Sequence, residues 1–254
     1  MSNIKNNKKL IGLVVSPLHD SNNVGINYRY VDYLSKFGDV LFLYSNMETV
    51  IDVDLLVLPG GADVDPARYG QRPHLRTQRP NIYLEHFDKH MLPQYIEAGI
   101  PIFGICRGMQ SLSVHFGASL IQHLNLKSNL STEREKLLET MIVPDNKLNS
   151  SIFEGTKFEN IYNVVPKGQK IRSNSELEAP VTARFKGINS IHHQALDPNK
   201  LGPNIQVLGY SRNRFNNIEA IKVANHNIYG VQYHPECMER PHFADSLINK
   251  LLNT

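Results

Sequence analysis

The chain has 254 residues, 41% hydrophobic and 20% charged, with a formal net charge of +3, proportions that fit a folded protein with a sizeable core and exclude a disordered one. The small positive excess forms no basic face with interleaved aromatics, which argues against nucleic acid as a partner, and no apolar run reaches the ~18–20 residues that cross a bilayer. Two cysteines, Cys106 and Cys237, match neither a disulfide framework nor a zinc pattern, and no h-region follows the lysine-rich start, so the expected compartment is the reducing cytoplasm. Leu10–Val15 (L-I-G-L-V-V) reads as a buried strand, Tyr28–Lys36 as an amphipathic helix, and Val40–Tyr44 and Leu55–Leu58 as two further strands. The second of these runs into Pro59-Gly60-Gly61. Asn81–Ala98 has the pattern of a helix stopped at Gly99, with a kink or boundary expected at Pro93. Ile100–Ile105 is the next strand, and Arg107–Phe116 the helix that leaves it. Lys127 to Ser150 is polar and gives no clear pattern. Phe158–Val165, Ile205–Tyr210, Ile218–Val223 and Asn227–Tyr233 follow as closely spaced strands, and Pro241–Leu252 closes the chain as a helix. This alternation predicts a single α/β domain over residues 1–254, without internal repeat or linker.

Residues 104–110 read G-I-C-R-G-M-Q at the end of a buried strand. A cysteine that only fills core space needs no glycine on either side. A strand entering a helix through G-x-C-x-G has the form of a nucleophile elbow, in which flanking residues approach neighbouring backbone too closely for a side chain. The turn lifts the Cys106 sulfur above the carboxyl end of the sheet and aims the N–H of Arg107, at the helix start, at whatever the sulfur attacks. A thiol of ordinary acidity needs a base. Of eleven histidines the best placed is His234, in G-V-Q-Y-H-P-E, where Glu236 follows the strand-end histidine across a proline and can hold its imidazole. Pro59-Gly60-Gly61-Ala62 reads on its own as a turn; beside an elbow it is a second source of backbone N–H donors.

P-G-G, G-x-C-x-G and H-P-E in this order resemble the class I glutamine amidotransferase superfamily. Gly60-Gly61-Ala62-Asp63-Val64-Asp65-Pro66-Ala67-Arg68-Tyr69-Gly70 looks like the G-G-x-D-V-x-P-x-x-Y-G motif of its γ-glutamyl-γ-aminobutyrate hydrolase-like branch, the C26 peptidase group. Asn189-Ser190-Ile191-His192-His193-Gln194 is similar to that branch's N-S-x-H-H-Q, Ile218-Glu219-Ala220-Ile221 to its I-E-A-I strand, and G-V-Q-Y-H-P-E to its G-V-Q-W-H-P-E, with Tyr233 for tryptophan. The matches run from about residue 58 to 236.

The resemblance implies a three-layer, flavodoxin-like, mostly parallel central sheet with helices on both faces and additional strands in the C-terminal half. It makes Cys106 the nucleophile, His234 the base and Glu236 its partner. Gly61 and Arg107 become the oxyanion donors, and Gly60, Gln110, His192, His193 and Gln194 the substrate-binding set. The implied substrate is a small γ-glutamyl amide, cleaved through a cysteine thioester with no metal or organic cofactor. The activity is that of a γ-glutamyl conjugate hydrolase or, alternatively, of a glutaminase subunit that supplies ammonia to a separate synthetase or ligase. Homo-oligomerisation is left open. His86 and His90, at i and i+4, read as a polar helix face rather than a metal pair. One departure stands out. Where the family has R-D-x-x-E before the elbow strand, this chain has Leu84-Glu85-His86-Phe87-Asp88: the two acids exchange lengths and the arginine is missing, with Arg79 five residues ahead of Leu84. The departure leaves open which cation completes the salt-bridge network of that region.

Overall fold

The computed structural model describes residues 8–17, 24–124, 138–144, 181–211, 217–238 and 242–254. Its strands are β1 (Leu10–Pro17), β2 (Val24–Gly25), β3 (Asp39–Tyr44), β4 (Leu55–Leu58), β5 (Ile102–Ile105), β6 (Leu120–Ile121), β7 (Leu138–Pro144), β8 (Val181–Asn189), β9 (Ala195–Leu196), β10 (Ile205–Ser211), β11 (Ile218–Val223) and β12 (Ile228–Val231). The helices are α1 (Tyr28–Leu34), α2 (Ile82–His90), α3 (Leu92–Glu97), α4 (Arg107–His115) and α5 (Phe243–Leu252).

Every residue of β4, β5 and β12 is buried, as expected of strands covered on both faces. Alternation then decides which side each residue serves. Leu55 and Val57 of β4 point to a core completed by Tyr30 and Leu34 of α1 and by Phe243, Leu247 and Leu251 of α5. Leu56 and Leu58 point the other way, to Leu84 and Phe87 of α2, Tyr95 of α3, and Met109 and Leu112 of α4. The result is an α/β sandwich of three layers. Strands β3, β1, β4, β5 and β12 lie side by side and parallel in that order, the flavodoxin-type arrangement. β11, β10, β7 and β8 extend the sheet antiparallel beyond β12, and β2 adds an antiparallel pair at the end of β1. Both the parallel sheet and the C-terminal strands are as the resemblance implies.

The boundary expected at Pro93 is present: the stretch 81–98 is two helices, broken at Met91, with Pro93 in the first turn of α3, where a missing N–H costs nothing. The unreadable stretch 127–150 contains β7, which pairs with β8, a strand the sequence did not suggest. The expected strand Phe158–Val165 lies outside the described residues. Among the described residues no helix is long and apolar enough to cross a membrane.

Candidate active site

Cys106 follows β5 and precedes the first residue of α4, with φ 52° and ψ −105°. L residues rarely occupy this region, at a cost on the order of 1–3 kcal/mol, and such strain gathers at functional turns. The turn is fixed by its neighbours. The Cys106 N–H donates to Val231 O on β12 at 2.8 Å. A Cβ on Gly104 would come within 2.7 Å of backbone atoms of both Gly108 and Met109, and one on Gly108 would overlap the Leu58 carbonyl. Both flanking glycines therefore answer to close backbone approach, as the G-x-C-x-G pattern predicts.

β5 and β12 are paired in parallel, with Ile105 opposite Val231, so their carboxyl ends lie together and His234 comes beside the elbow. Its Nδ1 is 2.6 Å from Glu236 Oε1, across the short turn that Pro235 opens. Asn189, the last residue of β8, grips the His234 backbone from both sides: it accepts from the N–H at 2.9 Å and donates to the carbonyl at 2.7 Å. Burial works against a charged imidazole here. The Cys106 sulfur, by charge and by hydrogen bond, and then Glu236 outweigh it, so the His234 pKa is pushed up to about 11. The arrangement favours a charged imidazolium beside the Cys106 sulfur. Because the sulfur is the largest contribution in that direction, Cys106→Ala is expected to bring the His234 pKa down towards its ordinary value of about 6.5, read from histidine ring nitrogen shifts; an unmoved midpoint would assign the charge to Glu236 alone.

Tyr30 was not singled out in the sequence, where it reads as one more apolar position on α1. Its hydroxyl reaches the site from the far helix layer, accepting from Gly60 N–H at 3.0 Å and lying 3.4 Å from His234 Nδ1. Burial first, then the charges of Glu236 and Cys106, hold its pKa well above the usual phenol range, so it is a neutral donor and acceptor that ties the glycine loop to the histidine. A Cβ on Gly60 would come within 2.7 Å of His234 Cε1 and 2.8 Å of the Tyr30 oxygen, which is why this position is glycine. Gly61, the next residue, is exposed.

The region of the R-D-x-x-E departure does close a salt-bridge network. Arg68 and Arg107 supply the cations that the helix lacks. Arg107 is 2.7 Å from both Glu85 Oε1 and Asp88 Oδ2, while Arg68 is 2.8 Å from Asp88 Oδ2 and 3.3 Å from Glu85 Oε2. Two cations and two anions close a network, with Arg107 and Asp88 buried and Arg68 and Glu85 half-buried. Arg68, from the turn after the glycine loop, sits 17 residues before Glu85, a separation at which no helical spacing signals a pair.

The remaining expected residues divide. Gln110 is buried on α4, its Nε2 donating to Gln194 O at 3.3 Å and to Gln232 Oε1 at 3.1 Å. The His192 ring is turned inward, with Nδ1 2.8 Å from Gln194 O and Nε2 3.9 Å from Glu219. Gln194 is 1% exposed, so it too belongs to the interior behind Cys106. His193 faces outward: its Nε2 is 3.2 Å from Asp63 and its Nδ1 3.4 Å from His123 Nδ1. Tyr233, in place of the family's tryptophan, is fully buried and accepts from Ala244 N–H at the start of α5. His86 and His90 lie with ring centroids 4.6 Å apart. Among the described residues no group of three or more His, Cys, Asp or Glu is arranged to hold a metal ion.

Comparison with known proteins agrees with this geometry. The pattern of the peptidase C26 family matches residues 14–236. A Rickettsia prowazekii protein named for its likeness to glutamine amidotransferases is 30% identical over 235 residues, 82% of this chain and 81% of its own. The γ-glutamyl-γ-aminobutyrate hydrolase of Escherichia coli O157:H7 is 28% identical over 189 residues, 72% of this chain and 64% of its own. In fold, the chain is similar to the crystal structure of a glutamine amidotransferase from Thermotoga maritima, at 14% identity, with a TM-score of 0.55 over 97% of this chain and 83% of that one. The chain belongs to the peptidase C26 family, class I glutamine amidotransferase-like hydrolases.

Proposed function

We propose that the protein hydrolyses the γ-glutamyl amide bond of a small γ-glutamyl conjugate, with Cys106 as nucleophile. The thiol proton rests on His234, whose imidazolium Glu236 supports. The sulfur attacks the δ-carbon of the γ-glutamyl group, and the oxygen of the tetrahedral adduct accepts from the N–H groups of Gly61 and Arg107, a contribution of about 3–4 kcal/mol for one such donor. His234 returns its proton to the leaving nitrogen as the carbon–nitrogen bond breaks. A water then loses a proton to the same imidazole and attacks the thioester, releasing glutamate and restoring the thiol.

The observation that carries this reading is the strained Cys106 turn beside a histidine held at 2.6 Å by a carboxylate. The hydrolase branch is supported by where its two signature segments meet: Asp63 of the G-G-A-D-V segment contacts His193 of the H-H-Q segment at 3.2 Å. The second reading, a glutaminase that passes ammonia to a synthetase or ligase, draws on the likeness to glutamine amidotransferases.

Glutamate release from glutamine and from a panel of γ-glutamyl amines separates the two. Turnover of a conjugate well above that of glutamine supports the hydrolase. Glutaminase activity that needs a second protein supports the amidotransferase, and no release from any γ-glutamyl compound rejects both. Tyr30→Phe, which keeps the ring and removes the hydroxyl, is expected to lower kcat roughly tenfold with KM little changed; an unchanged kcat would reduce Tyr30 to packing.

A further inference from the structure

β12 alternates, and its continuation carries the alternation past the strand end. Tyr229, Val231 and Tyr233 pack on the α1 and α5 side. Gly230 faces Met109 of α4, where a Cβ would come within 2.7 Å. Gln232, two residues on, is therefore on the α4 side at the level of the elbow. It is fully buried. Its Nε2 donates to the Cys106 sulfur at 3.5 Å, and its Oε1 accepts from Gln110 Nε2 at 3.1 Å.

The polarity of this chain of contacts is fixed from its far end. The Gln194 carbonyl can only accept. Gln110 donates to it at 3.3 Å, so the group that Gln110 turns inward is its amide nitrogen. That nitrogen has two protons. With one on Gln194 O, the other goes to Gln232, which must offer its oxygen. The Gln232 nitrogen is then the end that faces the sulfur.

We propose that Gln232 donates to the Cys106 sulfur and stabilises its thiolate, and that Gln110 is a positioning residue that acts through Gln232 by fixing which way its amide points. This deepens the reading of Cys106 as the nucleophile and rests on it. Both amide protons of Gln110 are committed inside the protein, so its nitrogen serves the sulfur rather than the substrate. A donor to the charged form of an acid favours that form.

The test is alkylation of Cys106 by iodoacetamide as a function of pH, in a Cys237→Ser background so that one thiol reports. Gln232→Met keeps the volume and removes the donor. It is expected to raise the midpoint by about one pH unit and to slow alkylation at neutral pH. Gln110→Met should move the midpoint the same way by less. The pH profile of kcat/KM should shift in parallel. An unchanged midpoint in folded Gln232→Met overturns the proposal. In the wild-type protein, which needs no variant to fold, the Gln232 side-chain amide protons should titrate with Cys106 in proton–nitrogen correlation spectra; amide signals that ignore the sulfur's ionisation overturn it equally. Alkylation needs no substrate, so a shifted midpoint with no γ-glutamyl turnover would reject the proposed function while leaving the thiolate donor in place.

Discussion

Cys106→Ser is expected to lower glutamate release by at least about a thousandfold while leaving the thermal unfolding of the protein nearly unchanged. Serine matches the thiol in shape, so the turn at φ 52° and the bond from the Cys106 N–H to Val231 O should persist. What goes is acidity. A hydroxyl does not ionise beside an imidazole as a thiol does, and the upward push that the sulfur gives the His234 pKa is lost with it. Cys237 is the internal control. It is half-buried, one residue past Glu236, and the exchange of sulfur for oxygen in Cys237→Ser should leave kcat within about twofold, as substitutions outside a site usually do. Glutamate release followed for both variants against wild type decides the matter: near-normal turnover in Cys106→Ser, or a collapse in Cys237→Ser, would mean that the wrong thiol has been assigned.

Asp88→Asn should have the largest effect on stability, a loss of about 3–5 kcal/mol in denaturant unfolding. Asp88 is 3% exposed and its Oδ2 meets both Arg68 and Arg107. Burial opposes the charge of Arg107, and Asp88 and then Glu85 more than offset it. Without Asp88, two guanidinium groups are left with the single carboxylate of Glu85. The side chain that loses its anchor belongs to the residue whose N–H opens α4 at the elbow, so kcat should fall along with stability. Glu85→Gln removes contacts from a more accessible carboxylate, 16% exposed, and should cost less. Buried charges are poorly screened, so raising the salt concentration should change the Asp88→Asn penalty little. A loss below about 1 kcal/mol would place the network with ordinary surface pairs.

The parallel half of the fold was legible because buried parallel strands write unbroken apolar runs, and L-L-V-L and the run before G-I-C-R-G are such runs. The elbow was legible because close backbone approach demands glycine at fixed positions. What stayed hidden depends on distance in space between residues far apart in the chain. A tyrosine on an amphipathic helix carries no mark that its hydroxyl will reach a histidine 204 residues away. The arginine missing from one motif was replaced from another, where it reads as an unremarked position between Pro66 and Tyr69. Direction was hidden too: adjacent His192 and His193 read as one pair, yet one ring turns into the interior and the other towards the surface. β8 escaped notice because Arg184, Lys186 and Gly187 interrupt its apolar pattern, so its alternation is weak as a one-dimensional signal.

The grip of Asn189 on His234 has a consequence for the register of β8. β7 and β8 pair from Leu138 opposite Asn189 to Pro144 opposite Val181, and Asn189, at one end of that ladder, holds the His234 backbone. A slip of β8 by a single residue would withdraw the carboxamide that clasps His234 and present its neighbour's side chain to the wrong face. The phase of this strand is thus locked to the histidine's place.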